Sequence, residues 1–308
     1  MEIGDDLTVF GKRRIHIWLR DKHYLVIFLA PAIICLVVVT IYPLIFSVKS
    51  SFFAWDLMNP GSESSFIGFR NYTTILKSVD FWNALKVTLE YTLLSVSLSM
   101  VFGTAMAFLF YQNLFGTWPV RTLMIAGMVI SPVIVGTTWR LLYSPDFGLI
   151  NYFLGVIGLG RHAFLAQGNT VIPALVITDV WQWSPLIMVI VLAAIQGLPT
   201  DEYEASKIDG ANSFQSFIHI TIPLLKPALL LALLIRIMDC FRTFDTIYAM
   251  TGGGPGTKSQ NLNILMYNTG FQFFQVSKVT AMAVISLIII TVISMLLVKA
   301  IRTDSAVL

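Results

Sequence analysis

Long apolar runs divided by short polar ones set the architecture of this chain. A helix rises 1.5 Å per residue, so about 20 apolar residues cross the hydrocarbon core of a bilayer. Six stretches reach that length: residues 24–47, 91–110, 120–142, 171–195, 227–248 and 280–298. Lipid offers no hydrogen bonds, so each segment must satisfy its own backbone groups, and that selects helices. The pattern predicts an all-α membrane protein with six transmembrane helices.

The longest polar interruption in the second half runs from residue 200 to 227, and it reads as two short helices. Thr200 is placed to cap the first, with Asp201 and Glu202 in its first turn, where the helix dipole favours negative charge. Gly210 ends it. Asn212 is placed to cap the second, with Gln215 three residues on to return the bond as a capping box. Pro223 and Pro227 are expected to break the pattern before the fifth apolar run. A connector with ordered caps, a hinge glycine and apolar anchors at Phe214, Phe217 and Ile218 is built to receive a partner; a plain amphipathic connector is the bland alternative.

Composition changes the size argument. A soluble chain of 308 residues suggests two domains, but 56% hydrophobic residues, 12% charged residues and a mean hydropathy of +0.78 place this one in the membrane. Lys12, Arg13, Arg14, Arg20 and Lys22 crowd before the first run, which puts the N-terminus in the cytoplasm. Residues 1–23 form a cytoplasmic segment, either lying along the inner membrane surface or acting as a loose leader, and residues 24–308 the six-span domain. Six crossings return the C-terminus to the cytoplasm, and four place the loop 200–223 there. The first run is too long for a signal-peptide core and no small-residue cleavage site follows it. A net charge of +3 gives no reason to expect nucleic acid. Cys35 and Cys240 fall inside spans and read as packed thiols. His16, His23, His162 and His219 lack metal-ligand spacing, and no nucleophile, nucleotide-binding motif or cofactor signature is present. Neither catalysis, a metal nor a cofactor is expected.

Candidate chemistry sits where charge enters the spans. An ionisable group facing acyl chains costs about 2.5 to 3.5 kcal/mol on insertion scales, so Asp179 must face protein or water. It precedes Trp181, Gln182 and Trp183, and two indoles beside acceptors suit a sugar, whose apolar face stacks on rings while its hydroxyls meet polar groups. An outer aromatic belt with Asp179 in a salt bridge explains the same residues. The fifth run carries Arg236, Asp239, Arg242 and Asp245 at intervals of three, close enough on a helix to form an ion-pair network. Pairing among themselves, pairing with a partner subunit and lining an aqueous path all remain open. In the second run Ser95, Ser97, Ser99, Gly103 and Ala105 permit close helix contacts. Residues 143–170 read as a partly helical outer lid.

The string Glu204-Ala205-Ser206, Asp209-Gly210-Ala211 and Ile220-Thr221-Ile222-Pro223 resembles the coupling loop of permease subunits of bacterial ATP-binding-cassette importers. Ser206 stands where a second alanine is usual, and Ile222 where leucine is. Arg236 to Tyr248 with Thr251-Gly252-Gly253-Gly254-Pro255 resembles the carbohydrate-uptake branch related to the maltose and glycerol-phosphate systems. The resemblance implies a type I importer permease fold with a cytoplasmic coupling helix, in an inner membrane. It implies as partners a second homologous permease, two ATPase subunits, an extracytoplasmic solute-binding protein and a sugar, besides membrane lipid. It assigns ATPase coupling to Glu204, Ala205, Ser206, Asp209, Gly210 and Ala211. It assigns substrate contact to Asp179, Gln182, Trp183 and Leu186, and to Arg236, Cys240 and Thr243. An ion-coupled secondary transporter, with Asp179 and the fifth-run charges as relay, is the alternative and leaves the loop unexplained.

Overall fold

A computed structural model describes residues 26, 28–62, 65–112 and 116–305. The basic N-terminal segment and the start of the first span lie outside them. Twelve helical segments carry the argument: α1 (Phe28–Ser50), α2 (Arg70–Lys77), α3 (Val79–Tyr111), α4 (Thr117–Val129), α5 (Pro132–Leu142), α6 (Leu149–Val156), α7 (Val171–Gln196), α8 (Asp201–Ile208), α9 (Ser213–Phe241), α10 (Asp245–Thr251), α11 (Leu262–Tyr267) and α12 (Val276–Ser305). Among the described residues, five are long and apolar enough to cross a membrane, and the bent pair of α4 and α5 makes a sixth when counted as one span.

That bent pair corrects the third span, which the apolar pattern draws as one straight helix. The two halves meet at 105°. Ile130 and Ser131 are extended, at ψ 137° and 134°. Pro132 follows them, and its ring drives the preceding residue out of the helical region. A second correction concerns the fifth span. Pro223 and Pro227 do not break it, because α9 runs without interruption from Ser213 to Phe241. A π-helical turn over Phe217–Thr221 precedes Pro223, so the carbonyl that a proline ring would strike lies in a widened turn. The same device, a π turn over Val37–Ile41, precedes Pro43 in α1. α9 also ends earlier than the apolar run, and the chain restarts at Asp245.

α3 and α7 form the central pair, with α9 packed against both. Their approach is set by small residues spaced four apart on α3: Ser95, Ser99, Gly103 and Ala107 are all buried, whereas Ser97 and Ala105 are exposed. A methyl on Gly103 would come within 2.6 Å of Ile187 Cβ and 2.7 Å of the Ser184 carbonyl. Ala107, Ile187, Met188, Val191, Leu192 and Leu225 close one core around that contact. A second core gathers Tyr91, Leu175, Ile247 and Met250 nearer the other end. α10 lies against α5 at Gly136, whose absent side chain leaves room for Ala249. α1 is the outlier, packed on α12 with its apolar surface open. Between α5 and α7 the chain is partly helical, through α6. Asn151 ties that stretch together, donating to the carbonyls of Tyr143 and His162 and accepting from the His162 N–H at 2.7 Å.

Candidate functional site

The loop between α7 and α9 is a short helix, a turn and a second helix entry. Thr200 is not a side-chain cap: its backbone is already helical and its hydroxyl makes no capping bond. Asp201, Glu202 and Glu204 still fall in the first turn of α8. Gly210 has φ +81°, a conformation that a Cβ would strain. The capping box is present in both halves. Gln215 N–H donates to Asn212 Oδ1 at 2.8 Å, and Asn212 N–H donates to Gln215 Oε1 at 2.9 Å. Ser206 is buried, with its hydroxyl 3.2 Å from that of Ser216, and Tyr203 meets Thr221 at 2.9 Å. Those contacts fix α8 to the root of α9. Glu204, Ala205 and Asp209 point outward, Ala211 is half-buried, and Ile208 and Phe214 are 86% and 70% exposed.

A buried ionic cluster joins α3, α7 and α9 at the centre of the bundle. Arg236 is fully buried. Its Nη2 lies 2.5 Å from Asp179 Oδ2 and 3.0 Å from Cys240 Sγ, and its Nη1 lies 2.7 Å from Asp239 Oδ2. Tyr91 on α3 donates to the other Asp179 oxygen at 3.0 Å. Trp183 lies under the guanidinium, 5.6 Å from ring centroid to Cζ. An isolated charge could not persist here; two carboxylates, a phenol and a ring face make the guanidinium tolerable.

The structure thus brings Asp179, Arg236 and Cys240 together and closes them on one another. Gln182 is equally buried but faces the bent span, where its Nε2 takes the Ile130 carbonyl that the break leaves free, at 3.0 Å. Trp183, Leu186 and Thr243 are half-buried, and Asp239 keeps 41% of its side chain exposed. Of the four fifth-run charges, only Arg236 and Asp239 pair with each other. α9 stops at Phe241, so the three-residue spacing no longer aligns Arg242 and Asp245; both are exposed, with no ion-pair partner among the described residues. Asn261 and Asn263 take up the Thr243 carbonyl where the helix ends. Trp181 turns away from Trp183 and meets Trp139 edge-on at 5.6 Å. Tyr91 is the member that the sequence pattern overlooked. It stands four residues before Ser95, so the buried stripe of α3 contained the signal. Among the described residues, the buried hydroxyls of Thr92, Ser99 and Ser184 and the Gln182 Oε1 have no hydrogen-bond partner.

Residues 99–304 match the family of binding-protein-dependent transport system inner membrane components. A probable ABC transporter permease protein of Sinorhizobium fredii is 39% identical, covering 87% of this chain and 86% of its own. The trehalose/maltose transport system permease protein MalF of Thermococcus litoralis is 37% identical over 67% of this chain and 70% of its own. Among solved structures, a bacterial ABC transporter involved in the import of the acidic polysaccharide alginate superposes with a TM-score of 0.81 at 25% identity, covering 94% of this chain and 99% of the other.

Proposed function

This chain belongs to the inner membrane components of binding-protein-dependent transport systems, and from that premise we propose that it is the permease subunit of an ATP-driven importer for a sugar. As a member of that family it is a non-catalytic membrane component of an ABC transporter, and the ion-coupled secondary transporter falls away. One observation supports energy coupling most directly: a braced loop with an exposed acidic first turn, a left-handed Gly210 and two bare apolar side chains, Ile208 and Phe214. A rigid knob of that kind suits a cleft in an ATPase subunit. Closure of an ATPase pair would then push α8, and the unbroken α9 would carry the displacement to the Arg236 cluster as alternating access. Pairing with a second permease, two ATPase subunits and an extracytoplasmic binding protein completes the assembly, with both termini cytoplasmic.

The sugar assignment draws on the named cargo of the MalF relative and of the alginate transporter, together with a ring and a carboxylate half-open at one place. In this reading Trp183, Leu186 and Thr243 touch the solute with Asp239. Asp179, Arg236 and Cys240 are buried and hold those groups in position, and Gln182 holds the bent span at Ile130. Affinity purification of the tagged chain from its native membrane tests the assembly. Wild type is expected to bring down an ATPase subunit and a second permease, with recovery of the ATPase reduced at least about tenfold in Gly210→Pro, whose fixed φ is incompatible with the turn, and less in Glu204→Ala. Recovery of the chain alone, with uptake intact, would sink the proposal.

A further inference from the structure

Beyond α9 the chain builds a row of four touching aromatic rings. Phe244 and Tyr248 stack with centroids 5.0 Å apart and planes at 19°. Tyr267 of α11 leans on both, 5.2 Å from Phe244 and 5.1 Å from Tyr248. Phe271 continues the row 5.3 Å farther on, at 30°. A core would hide such rings, yet Tyr248 is 38% and Phe271 71% exposed. Phe244 and Tyr267 are half-buried.

Two charges stand beside the row. Arg242 and Asp245 flank Phe244 within two residues, both exposed and neither in an ion pair among the described residues. Arg242 lines a cavity of about 750 Å³ with Met238 and, on α12, residues from Leu287 to Lys299. Both charges belong to the fifth apolar run, residues 227–248, where a charge without a partner is not covered by acyl chains. Stacked rings beside a carboxylate and a guanidinium with no ion-pair partner among the described residues suit one class of solute. A saccharide offers C–H faces to the rings, and hydroxyls that donate to Asp245 and accept from Arg242.

We propose that Phe244, Tyr248, Tyr267 and Phe271 form a stacking track for saccharide rings, flanked by Arg242 and Asp245, through which sugar reaches the Trp183–Asp239 region. The track rests on the sugar-import reading and extends it. The test uses the complete transporter in vesicles with its binding protein, supplied with radiolabelled maltose, trehalose and an alginate oligosaccharide. Sugar moved per ATP hydrolysed is compared for wild type, Tyr248→Leu, Tyr267→Leu, Tyr248→Phe and Tyr267→Phe. Leucine keeps apolar bulk and removes the ring; phenylalanine keeps the ring. The expected result is a three- to tenfold fall in the ratio for each leucine variant and recovery with phenylalanine, since a ring contact contributes about that factor. Leucine variants with the wild-type ratio would overturn the track while leaving sugar import standing. So would leucine variants that lose uptake and ATP hydrolysis in parallel, the mark of a purely structural role. A wild-type transporter that hydrolyses ATP and moves none of the saccharides would overturn both.

Discussion

Arg236 is the residue on which the centre of the bundle depends. A guanidinium with no exposed surface needs partners in place before the helices close, and it has Asp179, Asp239, Cys240 and the Trp183 face. Removing one side of a buried pair strands the other charge, at a cost of about 3 to 5 kcal/mol, whereas removing both is far milder. Arg236→Met and Asp179→Leu are each expected to lower the melting temperature in detergent sharply, and the double variant to recover most of the loss. Singles that melt with wild type would show that the pair carries no stability. Charge and period in the sequence marked both residues as unable to face lipid. They did not say that the two would meet each other, because the sequence separation of 57 between Asp179 and Arg236 is bridged only when α7 and α9 pack.

Elements here are shaped by what sits before a proline. At Ile130–Ser131 the residues ahead of Pro132 become extended and the helix bends sharply; at Phe217–Thr221 a π turn admits Pro223 and the helix continues. Proline in the sequence looks the same in both places. The difference lies in what receives the carbonyl that each break or ring would leave: Gln182 takes that of Ile130 at 3.0 Å, and a π turn accommodates Pro223. The α3–α7 contact is close, since Gly103 leaves no room for a methyl against Ile187 and Ser184. Gly103→Ala should cost about 1 to 3 kcal/mol through overpacking, read as a lower unfolding midpoint in detergent. A midpoint equal to wild type would mean that the helices separate more easily than their contact implies.

At the scale of the whole molecule, a tightly packed pair, α3 and α7, is surrounded by helices whose outer faces are apolar and open, α1 most of all. The two cysteines report on that division. Cys35 on α1 is exposed and Cys240 is fully buried. A maleimide is expected to reach Cys240 only after denaturation; rapid labelling of Cys240 in the folded protein would contradict the closed cluster. The sequence by itself determined the class of solvent, the number of apolar runs, the Asn212–Gln215 capping box and glycine turn of the 200–223 loop, and the family. Those depend on local composition, on short-range hydrogen bonding and on the impossibility of leaving backbone polar groups bare in lipid. Tertiary structure alone decided the bend of the third span, the continuity of α9, the partners of Arg236 and the ring row joining α10 to α11. Each of these depends on groups far apart in the chain, and only packing makes them neighbours.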